Sequence, residues 1–357
     1  MRQLSALVLA TLVCLLACQA EPAQRPGTFR GSPVLPTRMF GSKAGWARVL
    51  TGQLLHTADG GRTWSNVTPR AERGWDIGTA DEYFLDAGHA WVAEQDGPRM
   101  LVFGSADGGR HWQTVVAAPA DGPYLSASVS FPTALEGWLL VTSNRVAAAS
   151  WVYRTHDGGL HWTQVATGQA LGTTCPSAIS AISATAAWVA VFDCSQPVPA
   201  FGLSVSSDGG ATWQPQALPP VALTCPCYGT PPRFLDGQHG FLVVRGSGGL
   251  QLLASADGGV SWSLRITPPA DQVEFVDAAS GWAATLAGAE IWRSTDGGRS
   301  WTAVSTDLAA ETTEGHINGY AFVDSSLAFA SRFNTRKRQI SEVLKTTDGG
   351  RTWRAIG

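Results

Sequence analysis

Charge is scarce in this chain: Asp, Glu, Lys and Arg make up 15% of its 357 residues, and the two signs nearly cancel, with 25 Lys plus Arg against 28 Asp plus Glu. So balanced a chain offers no broad electrostatic field to a polyanion, and no nucleic-acid partner is expected. Cysteine is scarce as well, with six residues, of which Cys14 and Cys18 lie in an apolar leader. The other four, Cys175, Cys194, Cys225 and Cys227, have no His or carboxylate cluster beside them at ligand-like spacing, so no metal centre is expected. No cofactor is expected either.

What the chain has in quantity is glycine (40) and tryptophan (15), much of it in one recurring phrase. Ser or Thr, one variable residue, Asp-Gly-Gly, two variable residues and Trp recur seven times, around Asp59, Asp107, Asp157, Asp208, Asp257, Asp296 and Asp348. Spacings of about 40 to 50 residues are those of a propeller blade. Chemically the phrase is a tight β-turn. Asp accepts from backbone N–H groups one or two residues ahead, the glycines take positive φ, the Ser or Thr hydroxyl bonds the same carboxylate, and Trp covers the turn from below. A fainter phrase precedes each turn: Phe, a short turn, a small residue, an aromatic and an apolar run, as in 84–93, 131–141, 234–244, 275–286 and 322–331. Blade one carries a looser version from Phe40 to Trp46, and in blade four Ile182 replaces the Phe ahead of Trp188. Each repeat thus supplies four short strands. The expected fold is all-β, a single seven-bladed propeller of four-stranded antiparallel blades, closed without a strand borrowed from the N-terminus and with Phe40 and Phe322 near the seam.

These phrases, over residues 36–357, resemble the BNR or Asp-box repeat propellers, and within them the seven-bladed photosystem II stability and assembly factors. The resemblance implies that all seven box aspartates are structural. It says little about activity, because Asp boxes also occur in sialidases and xyloglucanases, and a shared fold does not carry a shared site. The Arg-Ile-Pro that marks sialidases is missing; the nearest match, Phe29-Arg30-Gly31-Ser32-Pro33, lies ahead of the ring. Tyr83, Tyr124, Tyr228 and Tyr320 fall near first strands, but none has an identifiable Glu partner.

Ahead of the ring, Arg2 and the apolar run Leu4 to Ala17 read as a signal peptide over 1–17, too short to persist as a spanning helix. Leu15-Leu16-Ala17-Cys18 resembles a bacterial lipobox, which implies lipidation at Cys18, with 18–35 as a flexible tether and 36–357 as the propeller. An exported protein anchored to membrane through lipid alone, on the outer side of the cytoplasmic membrane or in the outer membrane, is expected. Export favours disulfides among Cys175, Cys194, Cys225 and Cys227, all on one face of the ring, with the pairing left open.

Antiparallel alternation puts the seven Asp turns on one face. The loops between strands two and three and the links between blades lie on the other, which varies in length and is the expected recognition face. There lie the basic run Arg332, Arg336, Lys337 and Arg338, suited to an acidic protein surface or anionic glycan, and a loop where Trp75 sits beside Arg70 and Arg73. The stretch Asp307 to Asn318, with Glu311, Glu314 and His316, reads as a polar loop. The functional expectation is a monomeric, non-catalytic envelope scaffold or assembly factor that binds a protein partner. A sialidase-like hydrolase and a carbohydrate-binding propeller are the alternatives.

Overall fold

The computed structural model describes residues 34–356 apart from 50–51, 70–80, 119–123, 144–148, 173–174, 194–199, 221–225, 247–248, 288, 309–314 and 335–339. The described residues form seven antiparallel sheets, and in each the strands pair in chain order. Blade one comprises Val34–Phe40, Ala44–Val49, Leu54–Thr57 and Ser65–Asn66, and blade seven comprises Gly315–Phe322, Ala328–Asn334, Ile340–Thr346 and Arg354–Ile356. The seven-bladed propeller is thus built from blades complete in sequence order. In blade five the inner strand is broken into Pro226–Gly229 and Arg233–Phe234, both paired to Gly240–Gly246, so its sheet counts five segments. Pro231 and Pro232 sit at the break, where a ladder donor is missing.

All seven boxes share one hydrogen-bond scheme, and it reaches further than adjacent N–H groups. The box Ser or Thr donates to the carboxylate, as Ser255 does to Asp257 at 2.8 Å, and accepts from the second glycine N–H, Gly259 to Ser255 at 2.8 Å. The same carboxylate oxygen accepts the backbone N–H four residues on, Ser261 to Asp257 at 2.9 Å. The other oxygen takes that residue's side chain. Thr63, His111, His161, Thr212, Ser261, Ser300 and Thr352 all donate there, at 2.6 to 2.7 Å. The position just before Trp, variable in identity, is therefore always a donor. Both glycines of every box have φ between +71° and +96°. The first donates its N–H to the turn between strands one and two of its own blade, as in Gly258 to Gln238 at 2.9 Å. The second presses on the preceding blade: a Cβ on Gly259 would lie 2.6 Å from Trp188. Replacing Ser255 with Ala leaves the buried Gly259 N–H without its acceptor, and the expected loss is about 1–3 kcal/mol in denaturant unfolding. An unchanged midpoint would show the scheme to be ornamental.

The fainter phrase joins each blade to its predecessor. Trp46 stacks on Phe84 with ring centroids 5.1 Å apart, Trp91 on Phe131 at 3.7 Å, Phe241 on Phe275 at 3.6 Å and Trp282 on Phe322 at 5.0 Å. The indole N–H groups cross the same boundary, Trp46 to the Asp86 carbonyl at 3.0 Å and Trp138 to Ser183 at 3.1 Å.

In blades one and four the slot that receives this stacking is one residue earlier than the sequence reading has it. Register places Met39 opposite Gly45 and Ala181 opposite Ala187, each seven residues before the second-strand Trp. Side chains alternate along a strand, so the one-residue offset turns Phe40 to the opposite face, onto the Trp46 cluster, and Ile182 onto the Trp188 cluster. The seam between blades seven and one is accordingly packed by Met39, Phe329, Leu327 and Trp64, while Phe322 belongs to the blade six boundary. Phe40 and Phe322 do not form the seam.

Candidate functional site

Inner strands of a propeller are edge strands, and their outward N–H groups need partners. Here side chains from the neighbouring blade supply several of them. Asp81 accepts from Val129 N–H at 2.8 Å, Ser128 from Ile179 at 3.2 Å, Ser130 from Ala181 at 3.0 Å, and Gln272 exchanges bonds with the Tyr320 backbone. Burial pushes the Asp81 carboxyl up to about 7; the Val129 N–H opposes this and Glu82 adds to it.

One level of the channel is set by register. The residue opposite each second-strand aromatic, eight positions before it, is Arg38, Tyr83, Ser130, Ser180, Arg233, Glu274 or Ala321. Five of these, Arg38, Tyr83, Arg233, Glu274 and Ala321, line a cavity of about 520 Å³ with the ends of the inner strands, towards the Asp-box face. Phe40, Phe84, Phe234, Phe322 and Val276 supply its apolar wall.

The charges in this cavity are largely settled among themselves. Arg48 donates to both oxygens of Glu82 at 3.1 Å, joining blades one and two, while burial holds the Glu82 carboxyl above its ordinary value. Arg233 pairs with Glu274 across blades five and six. Arg38 has no carboxylate partner among the described residues. Its guanidinium carbon lies 5.2 Å from the Phe40 ring centre, and the Tyr83 phenol is a polar neighbour. Burial first, and then Arg233 on the facing blade, push it below the usual arginine value, with Tyr83 and Glu274 pulling the other way. Tyr83 thus has an arginine, not a glutamate, as neighbour, while both cavity glutamates are held by other arginines. A smaller cavity of about 250 Å³ lies beside the break in blade five, with Phe241 and Phe275 in its lining.

The seven box aspartates stand in the turns described above. Arg332 is not part of an exposed basic run: its side chain is 12% exposed and pairs with Glu342 on the adjacent strand. Arg336, Lys337, Arg338, Arg70, Arg73, Trp75 and Cys18 lie outside the described residues, as do Cys194 and Cys225. Cys175, which begins the inner strand Cys175–Ala181, is disulfide-bonded, and Cys227 lies in the inner strand of blade five. The stretch 307–318 is not one loop. His316 and Asn318 belong to the strand Gly315–Phe322, and Asp307 braces the last box, accepting from Trp353 N–H at 2.9 Å and Arg354 at 2.8 Å. Glu311 and Glu314 lie outside the described residues. The channel arginines are the residues sequence reasoning missed; counting eight back from each aromatic would have aligned them.

No family model matches the chain. Photosystem II assembly lipoprotein Ycf48 from Synechococcus sp. (strain CC9902) is 30% identical over 128 residues, which are 34% of this chain and 34% of that protein. The structure of YCF48 bound to D1 peptide superposes with a TM-score of 0.56 at 15% identity, covering 91% of this chain and 94% of that one. The chain resembles Ycf48 in sequence and in fold. YCF48 from Cyanidioschyzon merolae gives a TM-score of 0.55 at 18% identity, covering 91% and 98%. The sequence match spans about a third of Ycf48, and structural likeness at these identities shows the propeller alone. A prolyl endopeptidase superposes equally well, with a TM-score of 0.57 at 12% identity over 92% of this chain and 50% of that one.

Proposed function

We propose that this chain is a non-catalytic propeller that binds a protein partner in the cell envelope as a scaffold or assembly factor, anchored by lipid at Cys18. The observation that carries the reading is the likeness to Ycf48, in sequence over 128 residues and in fold over nine-tenths of the chain. Ycf48 is an assembly lipoprotein, and one of its structures is bound to a D1 peptide. The partner of this chain is left as a protein. Site chemistry supports binding over catalysis: the box carboxylates are committed to turns, and Glu82 and Glu274 to arginines. The contact surface is proposed on the face opposite the boxes, with the run Arg336, Lys337 and Arg338 and the loop of Trp75, Arg70 and Arg73 as its candidate residues.

Fluorogenic glycosides and peptides should pass through the purified chain unhydrolysed; turnover abolished by Tyr83→Phe would overturn the non-catalytic reading. Cys18→Ser should move the protein from the membrane to the soluble fraction. Equal membrane retention of that variant would remove the anchor from the account.

A further inference from the structure

The cavity in the channel leaves one charge unanswered. Arg48 balances Glu82 and Arg233 balances Glu274, so of the charged groups that line it only Arg38 lacks an opposite partner among the described residues. A guanidinium that lines a cavity of about 520 Å³ beside a phenol, with no ion-pair partner among the described residues, is a planar donor suited to a carboxylate. Four phenylalanines, Phe40, Phe84, Phe234 and Phe322, share the wall with these polar groups, and Phe40 lies against the arginine. The volume falls within the range of small-ligand sites.

We propose that the channel binds a monocarboxylate with an apolar body, its carboxylate held by Arg38 and the Tyr83 hydroxyl and its body against the phenylalanines. Arg48 answers Glu82 from outside the lining, so three arginines face two glutamates, and that single positive excess matches a monoanion better than a dianionic phosphate. The carboxylate comes either from a free small acid or from the end of a peptide with an apolar last residue. This function goes beyond the proposed partner contact and is independent of it, since it uses the channel and not the opposite rim.

Isothermal titration of the full chain in detergent with N-acetyl-phenylalanine, and with the corresponding neutral amide, tests the site. The acid should bind at least about tenfold more tightly than the amide, the size expected for one charge-assisted hydrogen-bonded contact. Arg38→Met, which keeps an apolar stem against Phe40, should remove at least that factor, and Arg62→Ala, remote from the channel, should change nothing. If Arg38→Met fails to fold, the acid-to-amide ratio on the unaltered chain decides alone. A pentapeptide with a free C-terminal Phe then separates the sources. Tighter binding than the small acid assigns the carboxylate to a chain terminus, equal or weaker binding assigns it to a free acid, and both uphold the site. No heat from the acid at millimolar concentration, equal affinity for acid and amide, or unaltered binding by a folded Arg38→Met would overturn it.

Discussion

Trp282→Ala will lower the unfolding free energy by about 3–5 kcal/mol, the range for removing a large aromatic from a packed core. Trp282 is fully buried, stacked on Phe322 at 5.0 Å, and covered by the Arg293 guanidinium 4.0 Å from its ring centre. Its indole N–H donates to the Asp324 carbonyl at 2.9 Å, and Gly350 of the next box lies against its edge. Packing within blade six, its boundary with blade seven and the adjacent Asp box therefore meet on one side chain. Trp282→Phe keeps most of the apolar contact and loses the hydrogen bond, so about 1 kcal/mol is expected. Denaturant titration of the three proteins checks both figures. A loss below about 1 kcal/mol for Trp282→Ala would mean that the blade boundary is not held as described.

Acid will unfold the ring steeply. Asp107, Asp157, Asp208, Asp257, Asp296 and Asp348 are held at about 2, against an ordinary 3.8. The donor side chain is the main cause at Asp208, Asp257 and Asp296, and the backbone N–H of the same residue follows. At Asp107 and Asp348 that N–H comes first. At Asp157 burial acts upward and the bonds from His161 overcome it. A depressed carboxyl stabilises the fold above the unfolded value near 3.8, and the contribution is lost as pH falls towards 2. At pH 3 the unfolded carboxyls are mostly protonated and the folded ones mostly not, so unfolding should take up roughly five protons from these six groups alone. The turn residues Asp86, Asp236, Asp277 and Asp324 shift the same way. Asp81, raised to about 7, works in the opposite sense, adding stability as pH falls from 7 towards 4. Denaturant midpoints should therefore peak at about pH 4 to 5 and drop sharply below. Midpoints that stay level from pH 5 to 3 would contradict the box electrostatics.

The ring was legible because the box is local chemistry: a hydroxyl, a carboxylate and two glycines within five residues determine a turn whatever surrounds them, and seven copies count the blades. The stacking slot was misread in blades one and four because Phe40 and Ile182 sit one position from where the alternation needs an inward residue, and composition favours the larger side chain over Met39 or Ala181. The donor before each box Trp was hidden by its changing identity, His in two blades and Ser or Thr in five. Of the channel, Tyr83 was legible as a first-strand residue and the arginines were not. Arg38 and Arg233 come from blades on different sides of the ring, and an arginine two residues from a strand end looks solvent-bound until closure brings the blades together. Arg332 misled for the converse reason, since Glu342, its partner, lies across a hairpin.

Affinity capture from solubilised envelopes tests the binding reading most directly, with the Cys18→Ser chain beside the same chain carrying Arg336→Ala, Lys337→Ala and Arg338→Ala. The account predicts that one protein is retained by the first, lost from the second, and cross-linked to the face opposite the Asp boxes. Identical recoveries from both chains, or cross-links on the box face, would contradict it.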